Sequence, residues 1–79
     1  MDRIEAQFED YKEKVIPMDA SKTQVSETRR AFYAGAQAMM TIFRVVGTDR
    51  VTKSEGEQIL VDADQELRRF AEMVQEGKA

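Results

Sequence analysis

The sequence of 79 residues has no cysteine, no histidine, no tryptophan and a single proline. Without Cys there is no disulfide staple and no thiolate nucleophile. Without His there is no imidazole base, and the ordinary Cys and His ligands of zinc and haem are missing too. Chains of this length bury only about 60% of their unfolded surface, so their stability is marginal unless something is added. With disulfides and Cys/His metal sites excluded, association with further copies is the obvious remaining route.

Two other absences bear on location. The opening residues, MDRIEAQFED, are charged throughout and lack the apolar stretch and cleavage-site pattern of a secretory signal. No apolar run approaches the roughly 20 residues that cross a bilayer. The expectation is a cytoplasmic protein with no membrane partner.

The net charge is only -3, but it is unevenly placed. Residues 1 to 16 carry a net -2, residues 17 to 50 a net +2, and residues 51 to 79 a net -3. A basic central segment therefore lies between two acidic ones.

The apolar residues recur at helical spacing. Ile4, Phe8, Tyr11 and Val15 form one stripe, predicting a helix over about 2–15 that Pro17 ends, because the residue before a proline is driven out of the helical region. Ser21 and Thr23 are candidate N-caps for a second helix over about 22–46, with Gly47 suited to a left-handed position after it. Its main seam is Val25, Arg29, Phe32, Ala36, Met39, Phe43 and Val46, at alternating steps of four and three. Thr52 and Glu55 fit a capping box at the start of a third helix over about 53–76, whose seam is Leu60, Ala63, Leu67, Phe70 and Val74.

The second and third helices are each about 36 Å long at 1.5 Å per residue, and a short loop joins them. The expected fold is all-α: one domain over 1–79, an antiparallel hairpin of two long helices plus a short N-terminal helix, working as an oligomer. The second helix is apolar over more than one stripe. Its face of Ala34, Gly35, Ala38, Ile42 and Val45 is the expected oligomer interface, since an interior glycine costs a helix about 1 kcal/mol and needs a packing reason. The alternative is that the N-terminal helix covers this face within the same chain. Met39 lies on the main seam and reads as core filler.

With the hairpin loop centred near residue 50, Arg29 and Arg30 fall level with Arg69 and Arg68. Together with Tyr11 and Tyr33 these form a candidate ligand site: guanidinium groups offer paired donors to phosphate, and a tyrosine ring stacks on a base. Arg29 is the odd member, because it sits on the apolar seam, where a charge needs a partner or a route to water. The alternative is local pairing of Glu27 with Arg30, Glu66 with Arg69 and Arg68 with Glu72, all at helical spacings of three or four.

Catalysis is not expected. Asp62, Asp64 and Glu66 are spaced by two, which scatters them around a helix, and no glycine-rich phosphate loop or base-backed serine is present. No metal and no cofactor are expected. Direct DNA binding is not expected either, since the second helix is largely apolar and the third acidic.

The segment ETRRAFYAGAQAMM, residues 27–40, resembles a stretch that recurs in small proteins encoded by bacteriophages and prophages. The size and expected hairpin are more loosely similar to the helical-hairpin domain of phage sponge proteins, which oligomerise and sequester nucleotide signals of the bacterial CBASS and Thoeris defences. That family's Trp-Ala-Asn stretch and Arg-Glu-Lys-Ser turn are absent here, so no binding residue carries over. The resemblance implies a non-enzymatic anti-defence protein in the cytoplasm of an infected bacterium, binding an anionic nucleotide such as a cyclic oligonucleotide at an oligomer interface. The competing expectation is an interaction module that docks an apolar helix face onto a host or phage protein and inhibits it.

Overall fold

A computed structural model describes residues 2–79. Among them there are three helices and no strand: α1 (Arg3–Val15), α2 (Lys22–Val46) and α3 (Lys53–Gln75). The chain divides into two compact units, one ending at Met40 and one spanning Thr41–Ala79, so α2 contributes to both. No helix among the described residues is long and apolar enough to cross a membrane.

Local chemistry accounts for each boundary. α1 stops because Ile16, the residue before Pro17, is extended (φ -87°, ψ 126°), although its N–H still donates to the Lys12 carbonyl. A turn follows, closed by the Ala20 N–H on the Pro17 carbonyl at 3.0 Å. Ser21 then caps α2: its hydroxyl accepts from the Gln24 N–H at 3.1 Å, and the Gln24 side chain accepts from the Ser21 N–H at 2.9 Å. This reciprocal box satisfies two donors that an uncapped helix leaves bare. Thr52 and Glu55 form the same arrangement at α3, at 3.1 and 3.0 Å.

The glycines behave differently from expectation. Gly47 is not left-handed; α2 instead runs into a turn in which the Thr48 N–H and hydroxyl both donate to the Val45 carbonyl, at 3.1 and 2.8 Å. The left-handed glycine is Gly77 (φ 73°), after α3. There the Lys78 N–H reaches the Met73 carbonyl at 2.8 Å and the Gly77 N–H the Val74 carbonyl at 3.1 Å, the bond pair of a Schellman stop.

In the first unit α1 lies on the N-terminal half of α2. Phe8 is buried, and its ring meets Phe32 edge-on with centroids 5.5 Å apart. Tyr11 packs on the same Phe32 ring, also at 5.5 Å and tilted by 44°. Burying a ring of this size contributes about 1.5–3 kcal/mol, and the aromatic contacts add to it.

In the second unit the start of α3 lies against the end of α2. Gly56 is buried, and a Cβ on it would stand 3.0 Å from Val46 Cγ1 and 3.8 Å from Val51 Cγ1. Ile59, Leu60 and Ala63 are half-buried beyond it. Further along α3 the apolar residues are open: Leu67 is 61% exposed, Phe70 56% and Val74 51%.

Candidate functional site

The best-organised polar cluster lies where α1 meets α2. Arg29 projects from the apolar seam of α2, and α1 supplies its counter-charge. The Arg29 guanidinium donates to Glu5 Oε2 through Nη2 at 2.8 Å and through Nε at 3.2 Å. The Tyr33 hydroxyl donates to the same oxygen. Arg29 also stands over the Tyr33 ring, with Cζ 4.9 Å from the centroid, a cation–π distance. One carboxylate oxygen thus joins two side chains a turn apart on α2 to α1.

The electrostatics follow from this geometry. Hydrogen bonding from Arg29, and then from Tyr33, holds the Glu5 carboxyl below the usual carboxylate value. The same contact with Glu5 raises the Tyr33 hydroxyl above its ordinary value and keeps Arg29 protonated. Three donors on one oxygen make Glu5 a poor general base, since the charged form is favoured and its lone pairs are engaged. The cluster is suited to fastening α1 to α2.

The other candidate ligand residues lie in different surroundings. Tyr11 belongs to the aromatic contact with Phe32. It also lines a groove of about 490 Å³ beside the α1–α2 turn, whose rim includes Asp19 and Glu27. That rim repels phosphate. Arg68 donates to Asp64 at 2.9 Å, one turn before it on α3, rather than pairing with Glu72. Among the described residues, no ion pair involves Arg30 or Arg69, so neither the Glu27–Arg30 nor the Glu66–Arg69 pairing forms. The structure therefore brings Arg29 and Tyr33 together, with Tyr11 nearby through Phe32, while Arg68 and Arg69 belong to the second unit.

Of the expected interface residues, Ala34, Gly35 and Ala38 are exposed, Ile42 is half-buried and Val45 is exposed. A Cβ on Gly35 would meet nothing within 4 Å. Within the first unit α1 packs on Phe32 and leaves Ala34, Gly35 and Ala38 exposed.

Three residues with definite roles have a weak signature in sequence. Glu5 is three residues from Phe8 at the edge of the α1 stripe, and pairing it with the seam arginine of the next helix is the signal that finds it. Gln24 is legible as the distal half of a Ser-x-x-Gln box. Gly56 reads as an unremarked glycine in a first turn until its neighbour Val46 is known. Among the described residues, no cluster of three or more carboxylates is placed to hold a metal ion. In comparisons with known proteins, the chain matches no family model, no curated protein and no solved structure.

Proposed function

We propose that this chain is a non-enzymatic helical association module, completed by another polypeptide that docks on its apolar helix faces. The observation that carries this reading is the open stripe of α3, where Leu67, Phe70 and Val74 are each more than half exposed. Scattered exposed apolar residues are ordinary on a protein surface, but a contiguous row marks an interaction surface. The α2 face of Ala34, Gly35, Ala38 and Val45 is a second such surface, where small side chains let a partner backbone approach. On the phage resemblance of residues 27–40, the proposed partner is a bacterial or phage polypeptide in the infected cell.

Affinity capture from bacterial lysate, with wild type and a Leu67→Glu/Phe70→Glu variant side by side, tests the reading. Retention of one polypeptide at stoichiometric level by wild type, lost in the variant, is the expected result; an untagged copy of the chain, co-expressed, counts as such a polypeptide. Equal retention by both, or none by either, overturns it.

Sequestration of an anionic nucleotide is the second reading, favoured by Arg30 and Arg69, which have no ion pair among the described residues. It has less support, because Arg29 and Tyr33 are engaged by Glu5 and Arg68 by Asp64.

A further inference from the structure

The turn between α1 and α2 is apolar, where a connecting segment is ordinarily polar. Within residues 16–20 Asp19 is charged, while Ile16, Pro17, Met18 and Ala20 are apolar. Pro17 ends α1 and the Ala20 N–H closes the turn on the Pro17 carbonyl, so these side chains are held outside both helices. Two grooves result within the first unit, and Ile16, Pro17 and Ala20 line both. One, of about 490 Å³, extends to Tyr11 and Val15. The other, of about 720 Å³, extends to Val25 and Met18. Both volumes fall in the range of ligand-binding clefts. Ile16, Ala20 and Val25 are half-buried, whereas Met18 stands fully exposed.

The charge around these grooves is almost all of one sign. Asp19 and Glu27 line the smaller groove, with no cation among the described residues there. Glu9, Asp10 and Glu13 line the larger, against Lys12. Asp10 is engaged by Lys14 one turn further along α1, but among the described residues no ion pair involves Glu9, Glu13, Asp19 or Glu27. The backbone adds to the negative potential. The C-terminal end of α1, the negative end of its dipole, opens on the turn, and Pro17 has no N–H to offer the Glu13 carbonyl four residues before it. The positive start of α2 lies in the same turn, but the Ser21 and Gln24 N–H groups there are engaged by their capping box. The chemistry that fits is a cation on an apolar body: aliphatic carbon meets Ile16, Pro17 and Val25, the charge meets carboxylates that have no ion pair, and an anion is repelled.

We propose that the α1–α2 turn is a docking site for a basic, apolar polypeptide segment, one in which lysine or arginine alternates with aliphatic residues. Lysine and arginine suit the grooves because their stems are apolar and their heads reach outward to the carboxylates. An extended segment crossing Ile16, Pro17 and Ala20 reaches both grooves, and its side chains alternate between its two sides. A compact organic amine fills one groove and gains little from a solvated ion pair or two, so the polypeptide is the better fit. Met18 supplies an adaptable apolar contact at the edge, the role to which a flexible thioether side chain is suited. Neither the α3 stripe nor the cluster of Glu5, Arg29 and Tyr33 lines these grooves. The site therefore lies outside the surfaces of the association-module reading and does not depend on them.

The test is titration of the isotope-labelled full chain, followed by amide chemical shifts, with a short synthetic peptide alternating lysine and leucine. Peptide from about 10 μM to 1 mM spans the affinities of weak to modest docking. Saturable shifts confined to amides from Glu9 to Thr28 are expected, weakening as salt is raised. Glu13→Gln and Glu27→Gln are each expected to weaken binding by up to about five-fold, the range of a solvated ion pair. Met18→Ser is expected to weaken it by about ten-fold or more, the scale of one apolar side chain buried. Because Met18 is fully exposed, that loss does not act through unfolding, and circular dichroism checks that all variants stay helical. Glu66→Gln on α3 and Leu67→Ala/Phe70→Ala are expected to bind as wild type does. A lysine-only peptide is expected to bind more weakly, and one alternating glutamate and leucine not at all. Absence of saturable shifts, shifts centred on α3, equal binding of the lysine-only peptide, or indifference to Met18→Ser and to both carboxylate variants overturns the site. Loss of peptide binding in Leu67→Ala/Phe70→Ala moves the docking to α3, which overturns this site and leaves the association-module reading standing. Binding at the turn by a chain that retains no lysate polypeptide through Leu67 and Phe70 supports this site and refutes that reading alone.

Discussion

Glu5 and Arg29 meet 2.8 Å apart across the α1–α2 contact, 24 residues apart in sequence. The pair explains how an arginine sits on the apolar seam of α2 without a buried, unpaired charge. The guanidinium is half-exposed, its stem follows the seam, and its head meets a carboxylate that also receives the Tyr33 hydroxyl. The contact is directional, whereas the Phe8–Phe32–Tyr11 packing beside it is not, so the polar cluster sets where along α2 the α1 helix rests.

The position of Glu5 makes the docking of α1 dependent on pH. Its folded pKa is depressed, so its contribution is present above the ordinary carboxylate value of 4.5 and is lost as pH falls through the lower folded value. Tyr33 is shifted the other way, so its contribution holds below its ordinary value of 10.0 and is lost as pH rises through the higher folded value. Denaturant unfolding followed across this range is expected to show stability falling at both ends. Glu5→Gln is expected to shrink the acid limb, leaving the part contributed by Glu55, which the Thr52 cap also holds below its ordinary value, and to remove much of the alkaline one; an unchanged acid limb contradicts the assignment.

Phe8 is the side chain whose loss the first unit tolerates least. It is 1% exposed and lies edge-on against Phe32. Phe8→Ala removes the ring and leaves a cavity, which in well-packed cores costs about 3–5 kcal/mol. A domain of this size has a net stability of the same order, so α1 is expected to detach. Hydrogen exchange of the α1 amides reads this directly, with protection lost in α1 and retained in α3. Protection of α1 equal to that of wild type rules it out.

The two interior glycines make opposite predictions for one substitution. Alanine is favoured over glycine in a helix by about 1 kcal/mol. At Gly35 a Cβ meets nothing within 4 Å, so Gly35→Ala is expected to stabilise the monomer by close to that amount. At Gly56 the Cβ stands 3.0 Å from Val46 Cγ1, and a β-branched side chain in a helix has little freedom to turn aside. Gly56→Ala is therefore expected to gain little or nothing, and Gly56→Val to destabilise clearly. Thermal melts of the variants compare the positions; an equal gain from alanine at both places the α3 start too close to α2.

Helix existence and most helix ends were legible because they depend on neighbours within a turn: the stripe of Ile4, Phe8, Tyr11 and Val15, the stop before Pro17, the box of Thr52 and Glu55. What escaped depended on residues far apart in the chain. Glu5 finds Arg29 only once α1 has folded back, and Gly56 finds Val46 only through the turn between α2 and α3. Gly47 departs from its expected conformation for another reason: a glycine after a helix permits the left-handed conformation without requiring it, and here the Thr48 N–H and hydroxyl satisfy the Val45 carbonyl instead. The candidate arginine site depends on a single hairpin register, whereas Arg29 pairs with Glu5 and Arg68 with Asp64.

Those partners also decide the outcome of a nucleotide titration. Micromolar binding requires about 8 kcal/mol, and a solvated ion pair supplies at most about 1 kcal/mol. Arg30 and Arg69 are the guanidinium groups of the candidate site without an ion pair among the described residues, and recruiting Arg29 means breaking its bonds to Glu5. Calorimetric titration of the chain at tens of micromolar with cyclic di- and trinucleotides is therefore expected to show no binding heat. Glu5→Gln, which removes the charge competing for Arg29, is the variant in which weak binding would surface first. Micromolar binding by wild type, abolished by Arg30→Gln and Arg69→Gln, would reverse the ranking of the two functional readings and make nucleotide capture the leading one.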